Sequence, residues 1–135
     1  MIYKPIIIVL GEPYSTFQEI VLKSFKKKIL SKYNIPIVFI GSVHLFKKQM
    51  VKLGYSYKLN IIKSDDLGKK KINNKLINFI NINFKTRKVF DKISYKSKNY
   101  IKKSFDMAIK LIRKKKVSGI INGPISKKHF LKKKY

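Results

Sequence analysis

The chain has 135 residues and a mass of 15.9 kDa, enough for one cored domain and too few for two. Hydrophobic residues make up 44% and fall in short clusters, which excludes disorder throughout, and no apolar run approaches the roughly 18 residues of a membrane-spanning helix. A formal net charge of +27 would ordinarily point to nucleic acid. Only Arg87 and Arg113 are arginines, however, the lysines run along the whole chain, Ala108 is the one alanine, and tryptophan is missing. Enrichment in Lys, Ile, Asn, Phe and Tyr follows AT-rich codons, so the charge reads first as composition and only second as selection for nucleic acid.

The opening Met1-Ile2-Tyr3-Lys4 carries no small-residue cleavage site downstream, so no secretory leader and a cytoplasmic location are expected. Without cysteine there is no disulfide or thiolate metal site, and His44 and His129 are the only imidazoles. Both histidines read as surface or packing residues. The lysine runs at 26–28, 69–71 and 114–116 read as solvated helix ends and loops.

Pro5-Ile6-Ile7-Ile8-Val9-Leu10 is continuously apolar and stops at Gly11 and Pro13, as a parallel strand buried on both faces does. Ser15 or Thr16 then caps a helix, Thr16 and Glu19 have capping-box spacing, and Phe17, Ile20, Val21, Phe25 and Ile29 form the expected apolar face. A second strand–helix unit follows: residues 35–40 as strand, Ser42 as cap, Phe46, Met50 and Leu53 on one helix face, and Gly54 as the stop. Residues 55–63 predict a third strand and residues 64–75 a surface loop with little core. Residues 76–84 alternate apolar groups with asparagines, which predicts an exposed or edge strand. Ile101, Phe105, Ala108 and Ile112, widened by Leu111, predict a helix over 97–115 that leads into a buried strand at 117–121. This alternation predicts an α/β fold, a parallel or mixed sheet covered by helices.

Ligands of open α/β sheets gather at the carboxyl ends of strands, which singles out Gly11-Glu12-Pro13-Tyr14-Ser15 and Asn122-Gly123-Pro124-Ile125-Ser126-Lys127. Glycine permits close backbone approach, a helix start beyond offers N–H groups to an anion, and Lys127 adds a cation. Each loop also reads as a simple chain reversal. Glu12 reads either as a buried general base or as a hydrogen-bonding anchor for nearby backbone N–H groups. Neither a P-loop nor a Gly-x-Gly-x-x-Gly fingerprint is present. A second functional class is a small lysine-rich module holding nucleic acid nonspecifically, with Tyr55, Tyr57, Tyr95 and Tyr100 as candidate stacking rings.

Taken together, Gly11-Glu12-Pro13 with Glu19-Ile20, the segment Met50-Val51-Lys52-Leu53-Gly54, and Gly119-Ile120-Ile121-Asn122-Gly123-Pro124-Ile125-Ser126-Lys127 after a helix resemble the amino-terminal part of the 4-hydroxythreonine-4-phosphate dehydrogenase family. The resemblance runs through nearly the whole chain. It implies a fold like part of isocitrate and isopropylmalate dehydrogenases, and NAD-dependent oxidation of 4-phosphooxy-L-threonine in pyridoxal phosphate synthesis. It also implies a small phosphorylated substrate, a divalent metal (zinc, magnesium or cobalt) and a homodimer with its active site in an interdomain cleft. Gly11, Glu12, Pro13, Gly123, Pro124 and Lys127 would then be cleft-loop residues that contact substrate, with no catalytic or metal-binding residue supplied by this chain.

Tyr14-Ser15-Thr16-Phe17-Gln18 departs from the family's small, glycine-rich stretch. The family's Gly-His-Thr-Glu motif, its three metal-binding histidines and its NAD contacts are not matched here, so residues 1–135 are expected to form one incomplete α/β domain without activity of its own. Lys132-Lys133-Lys134-Tyr135 would fall in the first turns of a helix, and a truncated reading frame is the expectation that follows.

Overall fold

The run of β-branched side chains at the start of the chain forms β1 (Ile6–Val9), which sits inside a sheet because both of its faces are apolar. In the computed structural model, which describes residues 3–131, β1 pairs in parallel with β2 (Ile37–Gly41) on one side and β5 (Gly119–Asn122) on the other. Ile7 stands opposite Val38 and Ile120 in that register. Beyond β2 lie β4 (Ile77–Asn81) and then β3 (Leu59–Ile61), giving the order β3-β4-β2-β1-β5, all parallel.

From β1 to β2 and from β2 to β3 the chain steps the same way across the sheet, and from β4 to β5 it steps back. Crossovers of one hand therefore put α1 (Phe17–Lys26) and α2 (Val43–Lys52) on one face and α3 (Lys98–Arg113) on the other. Leu22, Phe39, Phe46 and Phe79 fill the first layer, and Ile7, Val9, Val38, Ile40, Ile101 and Leu111 the second. Burying apolar area at about 25 cal/mol per Å² makes these two layers the main stabilising term. A last short helix, α4 (Lys127–Phe130), begins beyond β5. The expectation for Lys132–Tyr135 lies outside the described residues.

Several local expectations are corrected. β4 is an interior strand, buried from Ile77 to Ile80, because it lies between β3 and β2 and its Asn78 bonds within the protein, while Asn81 at its end is exposed. Asn78 Nδ2 donates to the Ile37 and Asn73 carbonyls, and its Oδ1 accepts from Asn60. The loop before β4 contributes to the core: Leu67 is buried, and buried Asn74 accepts from Ile37 N and donates to the Tyr33 and Ile35 carbonyls. β5 is the exposed edge, with Ile121 53% accessible, since it has β1 on one side only.

On α1 Phe17, Val21 and Phe25 pack on the core as expected, joined by buried Gln18 and Leu22, while Ile20 is exposed, as is Ile29 beyond the helix end. The capping box does not form: Thr16 makes no side-chain cap bond, Ser15 Oγ accepts from Phe17 N, and Glu19 pairs with Lys23 on the surface. On α3 Ile112 is exposed, and Ile101, Ser104, Ala108 and Leu111 face inward.

α2 behaves as its sequence predicts. Ser42 Oγ accepts from Leu45 N, and Gly54 at φ +82 lets Tyr55 N reach back to the Met50 carbonyl. The same closing turn after α1 and α3 uses Lys28 at φ 55 and Lys115 at φ 56, where a Cβ is strained. Lys28→Gly and Lys115→Gly are each expected to raise stability by about 0.5–1 kcal/mol. Urea midpoints for the two variants check this; a fall in both would show that the left-handed turns carry no strain.

Candidate functional site

The loops after β1 and β5 meet at the carboxyl edge of the sheet because their parent strands are neighbours. Gly123 N donates to the Val9 carbonyl at 2.6 Å, and Glu12 N donates to the Pro124 carbonyl at 2.9 Å. Both glycines are required by this mutual approach. A Cβ on Gly11, which has φ +75, would strike the Pro124 carbonyl oxygen, and one on Gly123 would strike the Leu10 carbonyl oxygen. Close approach of backbone to ligand was the sequence expectation; the close approach found is of one loop to the other.

Glu12 is 1% exposed, the one buried carboxylate among the described residues. Oε1 accepts from Ser126 N at 3.1 Å, and Oε2 accepts from Ser97 Oγ at 3.2 Å. The Glu12 carbonyl accepts from Gln18 Nε2 at 3.1 Å. A single residue thus joins β1, the start of α1, the turn ahead of α3 and the start of α4. The anion at the start of α4 is this carboxylate, so that backbone N–H is already occupied.

Pro13 is buried as well, and its carbonyl accepts from Gln49 Nε2 at 2.8 Å; the same amide group donates to the Val89 carbonyl at 3.1 Å. Tyr14, the first residue to depart from the family pattern, lies edge-on to Phe84, and its hydroxyl sits 2.6 Å from Thr86 Oγ1. The altered stretch therefore fastens the β1 loop to residues 84–89.

Pro124 and Lys127 are exposed, and Lys127 forms no ion pair among the described residues. His129 is half-buried, with Nδ1 2.7 Å from Ser126 Oγ, and His44 is exposed in the first turn of α2. No group of three or more His, Asp or Glu side chains among the described residues could hold a metal ion. The implied divalent metal therefore does not fit this chain's own residues. The N–H groups of Glu12, Gly123 and Ser126 are all spent within the protein.

Of the candidate stacking rings, Tyr55 and Tyr57 stack on each other at 5.9 Å, Tyr57 also packs on Phe25, and Tyr100 is 5% exposed. Those three rings are engaged in packing. Tyr100 OH accepts from Ser42 N at 2.8 Å, and burial pushes its phenol up to about 12.

Sequence reasoning missed a second feature. β2 leads to α2 on one face and the neighbouring β4 leads towards α3 on the other, so a crevice opens between their carboxyl ends. It is an open cleft of about 820 Å³, lined among others by Ser42, His44, Lys47, Asn83 and Arg87. The available signal was strand order, which a single sequence does not display.

Comparison with protein families matches residues 32–135 to the pyridoxal phosphate biosynthetic protein PdxA. A comparison with curated proteins found no match. Among solved structures, a Salmonella typhimurium protein assigned as a 4-hydroxythreonine-4-phosphate dehydrogenase is similar at TM-score 0.76 and 20% identity, covering 92% of this chain and 38% of its own. The corresponding enzyme from Burkholderia phymatum gives TM-score 0.75 and 18% identity over 95% of this chain and 40% of its own. That from Klebsiella pneumoniae gives 0.71 and 20% over 92% and 38%. The chain thus spans about two fifths of the length of these structures.

The architecture is α/β, part of the isocitrate/isopropylmalate dehydrogenase-like fold. The chain belongs to the PdxA family.

Glu12→Ala leaves Ser126 N–H without its acceptor, while Ser97 O–H keeps the Ser94 carbonyl at 3.1 Å, and the variant is expected to destabilise the fold by about 1–3 kcal/mol. Denaturant unfolding of the variant checks this, and a loss under about 0.5 kcal/mol would mean that water replaces the carboxylate at no cost.

Proposed function

We propose that this chain is the amino-terminal portion of a 4-hydroxythreonine-4-phosphate dehydrogenase, which oxidises 4-phosphooxy-L-threonine with NAD in pyridoxal phosphate synthesis. The observation that carries the reading is the PdxA family match over residues 32–135. The two Gly-Pro-type loops, pinned together at the carboxyl edge of the sheet, support it.

NAD and a divalent metal would supply the redox and Lewis-acid chemistry, held by family residues that this chain does not match. Its own part is to present Lys127 from a loop that Glu12 holds in place. There the ammonium would meet the phosphate of the small substrate. A homodimer and a cytoplasmic location belong to the same proposal, and nucleic acid would be held only by nonspecific attraction to the lysines.

The test is NADH formation from 4-phosphooxy-L-threonine with added metal, by the chain alone and by the chain extended through the coding sequence downstream of Tyr135. Turnover is expected from the extended protein and not from the 135 residues alone; an extended protein that folds yet forms no NADH would contradict the reading. In the extended enzyme Lys127→Ala is expected to weaken kcat/KM by roughly 1.5–3 kcal/mol, the scale of a charge-assisted hydrogen bond. Lys128→Ala should change little, and equal near-wild-type values for both would remove Lys127 from the site.

A further inference from the structure

The geometry points to a binding site for a nucleoside phosphate in the cleft at the carboxyl ends of β2 and β4. It stands apart from the paired loops, so its test does not depend on the dehydrogenase reading. The topology places it where strand connections part to opposite faces, the position at which open α/β sheets take ligands. Its volume of about 820 Å³ suits a ligand of mononucleotide size.

The cleft's lining is both cationic and apolar. Lys47 and His44 come from the first turns of α2, and Lys85 and Arg87 come from the segment after β4, with no carboxylate among the lining residues. Arg87 is one of two arginines in a chain with 33 basic residues, and its planar fork suits phosphate where a lysine offers a point charge. At the helix terminus Val43 N donates to Asn81 Oδ1 and Leu45 N to Ser42 Oγ, so those two N–H groups are taken. The phosphate would therefore rest mainly on these side chains.

The same lining includes Ile61, 53% exposed on β3, and Phe84, half-buried against Tyr14 and Tyr100, which together give the cleft an apolar part for a flat ring. Asn83 adds an amide at the rim for a base edge. The floor is rigid: Tyr100 OH holds Ser42 N, and a Cβ on Gly41 would come within 2.9 Å of that hydroxyl and 2.7 Å of Leu10 Cδ1.

A chain of net charge +27 attracts any anion, so the test separates the cleft from the background. AMP, adenosine and inorganic phosphate are titrated into the 135-residue chain at about 0.15 M salt, with amide shifts followed by NMR. AMP is expected to bind about tenfold more tightly than either fragment and to shift the amides of His44, Asn83 and Arg87. Arg87→Gln and Lys47→Gln should each weaken AMP and phosphate about tenfold, while Ile61→Ser weakens AMP and leaves phosphate unchanged. Lys27→Gln, just past α1 at the opposite end of the sheet, should change neither. Equal binding of AMP and phosphate, or equal losses in Arg87→Gln and Lys27→Gln, would overturn the site and leave diffuse electrostatic attraction.

Discussion

A carboxylate buried in a chain dominated by cations organises the functional edge of this protein. Glu12 has no lysine or arginine partner among the described residues; a backbone N–H and a serine hydroxyl hold it instead. Burial of an ionisable group without such donors costs several kcal/mol, so its neighbours must stay in place for the fold to keep it. That requirement locks the β1 loop, the β5 loop and the turn before α3 into one arrangement. Gly11 and Gly123 follow from the same constraint, because the loops approach too closely for a Cβ on either.

The four described surface ion pairs play a smaller part. Lys23–Glu19, Lys69–Asp66, Lys88–Asp91 and Lys102–Asp106 lie at the surface, three or four residues apart, where solvent screening leaves each little net stabilisation. They offset little of the repulsion among so many lysines, and the sheet is held by its two apolar layers. The order and parallel pairing of the strands then decide where chemistry can gather. One place is the paired loops at β1 and β5, and another is the crevice between β2 and β4.

The α/β class, the parallel pairing of β1, the stop at Gly54 and the two glycine loops were legible because they rest on local signals: β-branched runs, caps and turn residues. The interior position of β4 was not, since Asn78 looks solvent-facing until the carbonyls of Ile37 and Asn73 are brought beside it. β5 was misread in the opposite sense, because an apolar run does not reveal that one side of the strand lacks a neighbour. The inward place of polar Gln18 on α1 rests on a bond to the Glu12 carbonyl, six residues away and invisible to a periodicity that counts apolar residues. Of the candidate site residues, Glu12 was read as base or anchor, and only the fold shows what it anchors: Ser97 and Ser126 stand 85 and 114 positions along.

Membership of the PdxA family and the shared fold give the loop pair its setting, and the Glu12 clamp is the physical claim on which the account of that pair rests. Residue-resolved amide hydrogen exchange tests it most directly. In the wild-type chain the Ser126 amide, at the start of a helix of only four residues, should be protected to nearly the degree of the β1 amides, and Glu12→Ala, which removes the acceptor, should erase that protection while leaving β1 intact. A Ser126 amide that exchanges freely in the wild-type chain would contradict the clamp.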